Sequence, residues 1–97
     1  MATMIYAKPL KVMPYANAYV KKYDDGKIVL VSYTTEVIRI DADGWIECTG
    51  LYSATTRRHI SRFMDEYTDR DYYFAKKLYT DGIKFNLNTG EVKEVVK

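Results

Sequence analysis

Little in this chain can carry covalent chemistry. Its 97 residues include one cysteine, one histidine, two prolines and five glycines. A single cysteine rules out an intrachain disulfide framework and a cysteine-rich zinc site, and it points to a reducing compartment. Cys48 follows Trp45-Ile46-Glu47 in a strand-like run, so it reads as a small buried hydrophobe rather than a nucleophile. No apolar run approaches the roughly 18 residues that a membrane helix needs. Met1-Ala2-Thr3-Met4-Ile5-Tyr6 lacks a charged stretch leading into a long apolar one, so no signal peptide is expected and the expected location is cytoplasmic. Gly26, Gly44, Gly50, Gly82 and Gly90 are isolated, which excludes a glycine-rich phosphate loop. Asp24-Asp25 and Asp41/Asp43 lie at turn positions without the spacing of a calcium loop. Neither a metal nor a cofactor is expected.

Aromatic and charged residues are plentiful. Hydrophobic residues make up 47% of the chain and aromatics 14%, ten of them tyrosines, which marks a folded domain. Tyrosine joins a large apolar ring to a polar tip and serves sheet faces and binding surfaces alike. Fifteen basic residues against thirteen acidic ones give a net charge of +2. That balance neither demands nor excludes nucleic acid, and it argues against a wholesale mimic of DNA.

The length fits a single domain over 1–97. Pro9 and Pro14 restrict helix early, so residues 1–15 read as an extended arm or irregular edge segment. Ala16 to Tyr23 reads as a strand, with a turn at Asp24-Asp25-Gly26. Lys27 to Tyr33 contains the unbroken apolar run Ile28-Val29-Leu30-Val31. Such a run is expected of a central strand covered on both faces, or of one closed by a partner, which leaves self-association into a homodimer open. Glu36 to Asp41 is the next strand, with Ile38 and Ile40 on one face and Val37 and Arg39 on the other. Asp41-Ala42-Asp43-Gly44 reads as a hairpin loop leading to Trp45–Thr49.

After Gly50 the apolar period changes from two to that of a helix. Thr56, Ile60, Phe63, Met64 and Tyr67 predict an amphipathic helix over about 54–67, with Ser53, Thr55 and Thr56 as N-cap candidates. Asp71 to Thr80 predicts a second helix from Tyr72, Ala75, Leu78 and Tyr79. Asp69 is its N-cap candidate and Gly82 its C-terminal glycine. Ile83, Phe85 and Leu87 then alternate with polar residues, Asn88-Thr89-Gly90 turns, and Glu91 to Val96 returns. The expected fold is α+β, an antiparallel meander plus a C-terminal hairpin packed against two helices.

No catalytic set assembles from these residues, and no enzyme is expected. His59 sits at the edge of the first helix's apolar stripe near Ser53, Thr55 and Thr56, but no orienting acid follows at a persuasive spacing, so a structural role is the expectation. Two charge features stand out. Arg57, Arg58 and Arg62 lie on the first helix, and Arg58 and Arg62 share a face. With Tyr52 they read either as a solvated face or as a grip for phosphate or an acidic protein surface. Asp65, Glu66, Asp69 and Asp71 form an acidic stretch that either caps helices or presents a negative patch to a basic groove.

Ser32-Tyr33-Thr34-Thr35-Glu36-Val37 and Tyr52-Ser53-Ala54-Thr55-Thr56-Arg57-Arg58-His59-Ile60 carry a pattern, Ser-Tyr-x-Thr-x-Val followed by Tyr-Ser-x-Thr-Thr-x-x-His-Ile. The pattern resembles that of a family of short phage and prophage proteins. The resemblance covers about a third of the chain. It implies a mobile-element protein made inside a bacterial host cell, and no activity. Such company includes inhibitors of host defence, anti-CRISPR proteins among them. The expectation is therefore a phage-encoded inhibitor that binds a host protein, a CRISPR effector nuclease first. The alternative is a small nucleic-acid- or nucleotide-binding protein that uses the arginine helix and tyrosines.

Overall fold

The structure, a computed structural model, describes residues 3–11 and 17–95. Among these residues, seven strands form one antiparallel sheet in chain order: β1 (Met4–Pro9), β2 (Ala18–Tyr23), β3 (Ile28–Ser32), β4 (Thr35–Ile40), β5 (Trp45–Cys48), β6 (Ile83–Asn86) and β7 (Val92–Glu94). Two helices, α1 (Ala54–Tyr67) and α2 (Tyr72–Asp81), are inserted between β5 and β6. The fold is α+β, as the pattern predicts. The C-terminal hairpin is not a separate unit, because β6 pairs with β5 and continues the meander. The expected N-terminal arm is an edge strand, β1 on β2, and Pro9 at its end is tolerated there because the outer side of an edge strand has no ladder to join. Pro14, Ala16 and Val96 lie outside the described residues.

Local chemistry explains the connections. In the β4–β5 hairpin the Asp41 carboxylate accepts from the N–H groups of Asp43 at 2.9 Å and Trp45 at 3.0 Å, and Gly44 takes φ 95°, a conformation only glycine adopts freely. Ser53 caps α1 by accepting from Thr56 N–H. Asp71, not Asp69, caps α2, accepting from Phe74 N–H at 3.0 Å, and Asp69 instead lies 3.7 Å from Arg70. Gly82 ends α2 in the left-handed conformation at φ 65°.

Both helices pack on one face of the sheet. Thr56, His59, Ile60, Phe63 and Met64 of α1 and Ala75 and Leu78 of α2 are buried. The apolar ones join Val20, Leu30, Ile38, Ile46 and Cys48 in a single core. Tyr79, expected in this stripe, is exposed, and Phe74 packs edge-on against Phe85 at 5.0 Å instead. A second correction concerns β4. Val37 does not face away from Ile38 and Ile40, and all three are buried in the core. A bulge explains it: Leu30 pairs with Ile38 while Val31 pairs with Glu36, leaving Val37 as the extra residue that breaks the two-residue period.

Val29, Leu30 and Val31 of the β3 run are buried within one chain, and Ile28 is half-buried against the core. Leu30 faces the helices, whereas Val29 and Val31 are buried outside that core. Val29 is flanked in register by Lys21 and Arg39, and Val31 by Tyr19 and Glu36, whose long side chains can lie along apolar neighbours. The run thus offers no exposed apolar stripe for a second copy.

Candidate functional site

The two halves of the Ser-Tyr and Tyr-Ser pattern, far apart in sequence, meet where α1 crosses the end of β3. Ser32 is the last residue of β3, and Thr56 and His59 are buried on α1. Ser32 Oγ shares a hydrogen bond with Thr56 Oγ1 at 3.1 Å and lies 2.8 Å from His59 Nδ1. Ser53 Oγ donates to Thr56 Oγ1 at 3.2 Å and accepts from Thr56 N–H. Proton donation can thus run one way, from Ser53 through Thr56 and Ser32 to Nδ1, which satisfies each hydroxyl. His59 Nε2 is buried and has no hydrogen-bond partner among the described residues.

Burial pushes the His59 imidazolium below its usual pKa. The unfolded chain therefore takes up a proton near pH 6.5 while the folded one resists it. Stability is full above that pH and declines as pH falls below it, until the folded imidazole also titrates. Urea midpoints measured between pH 7.5 and 5 are expected to fall for the native chain. They should stay level for His59→Asn, which keeps a group facing Ser32 but does not titrate. A level profile for the native chain would contradict the burial of His59.

Two exposed tyrosines flank this network, and both have backbones that a side chain disfavours. Tyr33, next to Ser32, has φ 58°, and Tyr52, next to Ser53, has φ 38°. Ser32 pairs with Thr35, so Tyr33-Thr34 is a two-residue hairpin loop, where positive φ calls for glycine or asparagine. The Tyr33 ring is tilted against His59 with centroids 5.9 Å apart. The Tyr52 ring lies over Gly50, where any Cβ would overlap it. Positive φ on a non-glycine residue costs about 1–2 kcal/mol, and such strain gathers at functional surfaces.

Arg57, Arg58 and Arg62 are all exposed and form no ion pair among the described residues. Asp65, Asp69 and Asp71 line one open groove at the α1–α2 corner with Arg70, Tyr73 and Lys77. Glu66 separates from them: its carboxylate accepts from Lys11 N–H and ties the end of β1 to α1. The expected partner-binding set therefore divides. Tyr52, Arg57 and Arg58 stand at the start of α1 and the acids at its end, with Arg58 and Asp65 about 10 Å apart along the axis. Cys48 is buried, and desolvation pushes its thiol up to about 11, which keeps it protonated and unreactive near neutrality.

The apolar spacing of α1 places His59 at the stripe's edge, but nothing local in the sequence marks Ser32 and Tyr33 as its neighbours. The signal was the shared pattern itself, whose halves both contain a Ser-Tyr or Tyr-Ser pair. Residues 4–81 match the Family of unknown function (DUF8033). The chain belongs to this family. The DUF8033 match takes in the whole Ser32–Thr56–His59 network and both strained tyrosines. It ends at the last residue of α2, so the β6–β7 hairpin lies beyond it. No curated protein and no solved structure matches the chain. No helix among the described residues is long and apolar enough to cross a membrane.

Proposed function

We propose that this protein acts by binding, as an inhibitor that docks on a host protein of a bacterial defence system, with a CRISPR effector nuclease as the first target to test. The observation that carries the choice of a protein partner is the change of sign along one exposed stripe of α1. Arg58 and Arg62 lead that stripe and Asp65 follows, all exposed, at the three- and four-residue offsets that share a helix face. A phosphate backbone is negative throughout and would be repelled by the acidic end, whereas a protein surface can complement both signs. The order also opposes the helix dipole, which favours acids at the N-terminus and bases at the C-terminus. Neither end of α1 carries the favoured charge, so helix stability does not account for the arrangement.

Tyr33 and Tyr52, 50% and 66% exposed on either side of the Ser32–Thr56–His59 network, supply the aromatic anchors that dominate protein interfaces together with arginine. The choice of target rests on the resemblance to short phage proteins. The test is capture of the tagged chain from a bacterial lysate containing CRISPR effectors, with mass spectrometry of proteins and co-eluting nucleic acid. A stoichiometric effector is expected, with recovery falling at least tenfold for the Arg58→Glu/Arg62→Glu chain. Nucleic acid alone, released by high salt, would overturn the reading in favour of a nucleic-acid binder.

A further inference from the structure

The face of the sheet opposite the helices is not used by the α1 reading. In-register partners on antiparallel strands point to the same face. The pairs Lys21–Val29, Val29–Arg39 and Arg39–Glu47 therefore set one row across β2 to β5. Lys84 Nζ lies 3.7 Å from Glu47, and Lys84 pairs with Lys93 of β7, so the row continues to the far edge. Strand alternation puts Tyr19 and Tyr23, two residues either side of Lys21, on this face, and Trp45 beside Glu47.

The charges on this face are unequal. Arg39 is held by Glu36 at 2.8 Å, and Lys84 is near Glu47. Lys21, Lys27 and Lys93 have no carboxylate partner among the described residues. Each stands by an aromatic residue. Lys27 Nζ is 4.4 Å from the Tyr23 ring centroid, Lys93 Nζ is 4.2 Å from that of Trp45, and Lys21 lies between Tyr19 and Tyr23 on β2. Tyr19 is 44% exposed.

We infer that this open face binds single-stranded nucleic acid. Three of its lysines lack a carboxylate partner among the described residues, against Glu91 beside Lys93 and the turn-capping Asp41, so its unpaired charge is mainly basic. The ammonium groups would take phosphates, and the rings beside them would take unpaired bases by stacking, the combination that defines single-strand platforms. A duplex keeps its bases stacked inside and would leave the rings unused. From β2 to β7 the row spans roughly 24 Å of sheet at the usual strand spacing, enough for a short site of about four nucleotides or more. Lys84 and Lys93 belong to the hairpin beyond the DUF8033 match.

The probe is a fluorescein-labelled dT12 strand, titrated by anisotropy with the full chain at 50 and 200 mM salt, alongside a 12-base-pair duplex and heparin as competitors. Three phosphate contacts predict a loss of affinity of about 20-fold over that salt range. Lys21→Glu/Lys93→Glu is expected to weaken binding at least tenfold. Tyr19→Ala, checked for an unchanged far-UV circular dichroism spectrum, is expected to weaken it about fivefold or more. Trp45 emission should be quenched on binding. Absence of binding at 50 mM salt would overturn the inference. So would binding that survives the lysine reversal, binding untouched by Tyr19→Ala and equally displaced by heparin, or binding lost only in Arg58→Glu/Arg62→Glu. Effector capture unchanged by Lys21→Glu/Lys93→Glu would leave the α1 reading standing whatever becomes of this one.

Discussion

Phe63→Ala is expected to lower the free energy of unfolding by about 3–5 kcal/mol. Phe63 is fully buried. Its ring stacks on Tyr67 with centroids 4.9 Å apart, and it belongs to the one core that joins α1 to the sheet. Removing the ring forfeits its transfer free energy and leaves a cavity that neighbours on a helix and a sheet cannot both close. A domain of this size is stable by only about 5–15 kcal/mol, so the variant should stand near its unfolding threshold. Urea denaturation with far-UV circular dichroism measures the change. Tyr73→Ala on α2, at a residue 73% exposed, is the control and should shift stability by less than about 0.5 kcal/mol. A loss below about 1 kcal/mol for Phe63→Ala would mean that α1 does not dock on the sheet through this ring.

Tyr52→Gly is expected to move stability and binding in opposite directions. Tyr52 holds φ 38°, and its ring is largely in solvent, so the side chain contributes little packing to offset the backbone strain. Glycine adopts positive φ without a Cβ clash. Against that gain stands the greater entropy glycine has in the unfolded chain. The net expectation is a stability gain of up to about 1 kcal/mol, or about 4–8 °C in Tm. Under the proposed docking on an effector, capture should fall at least tenfold, because that docking uses Tyr52 as an exposed aromatic anchor. A stabilised variant that still captures its partner fully would remove Tyr52 from the docking surface. A clearly destabilised one would show that the ring over Gly50 holds the strand-to-helix corner together. Strain kept where it costs stability is the mark of a functional position.

Residues within a turn of one another determined much of this fold, and those parts were legible in the sequence. The limits of α1 follow from Ser53 and from apolar offsets of three and four. The end of α2 follows from Gly82, and the β4–β5 hairpin from Asp41 and Gly44. Each of these rests on hydrogen bonds or side-chain spacing within about four residues, so the local sequence is sufficient. Asp69 satisfies the same local capping preference as Asp71, which is the residue that caps α2. Which acid accepts from Phe74 N–H depends on the phase at which the second helix begins.

Pairing across the chain decided the rest. The bulge at Val37 exists because β3 and β4 slip by one residue, and a two-residue period read along β4 alone assigns Val37 to the wrong face. The tight turn at Tyr33-Thr34 carries none of the usual turn residues, so only the Ser32–Thr35 pairing reveals it. Ser32 meets Thr56 and His59 across 24 and 27 residues, contacts that exist only once α1 lies on the sheet. The row from Lys21 to Lys93 requires six strands in register. The sequence by itself determined the helices, the turns and the α+β class, because those energies are local. The tertiary structure alone decided what the motif residues touch and which charges share a surface, because side chains distant in sequence become neighbours only through strand register and helix docking.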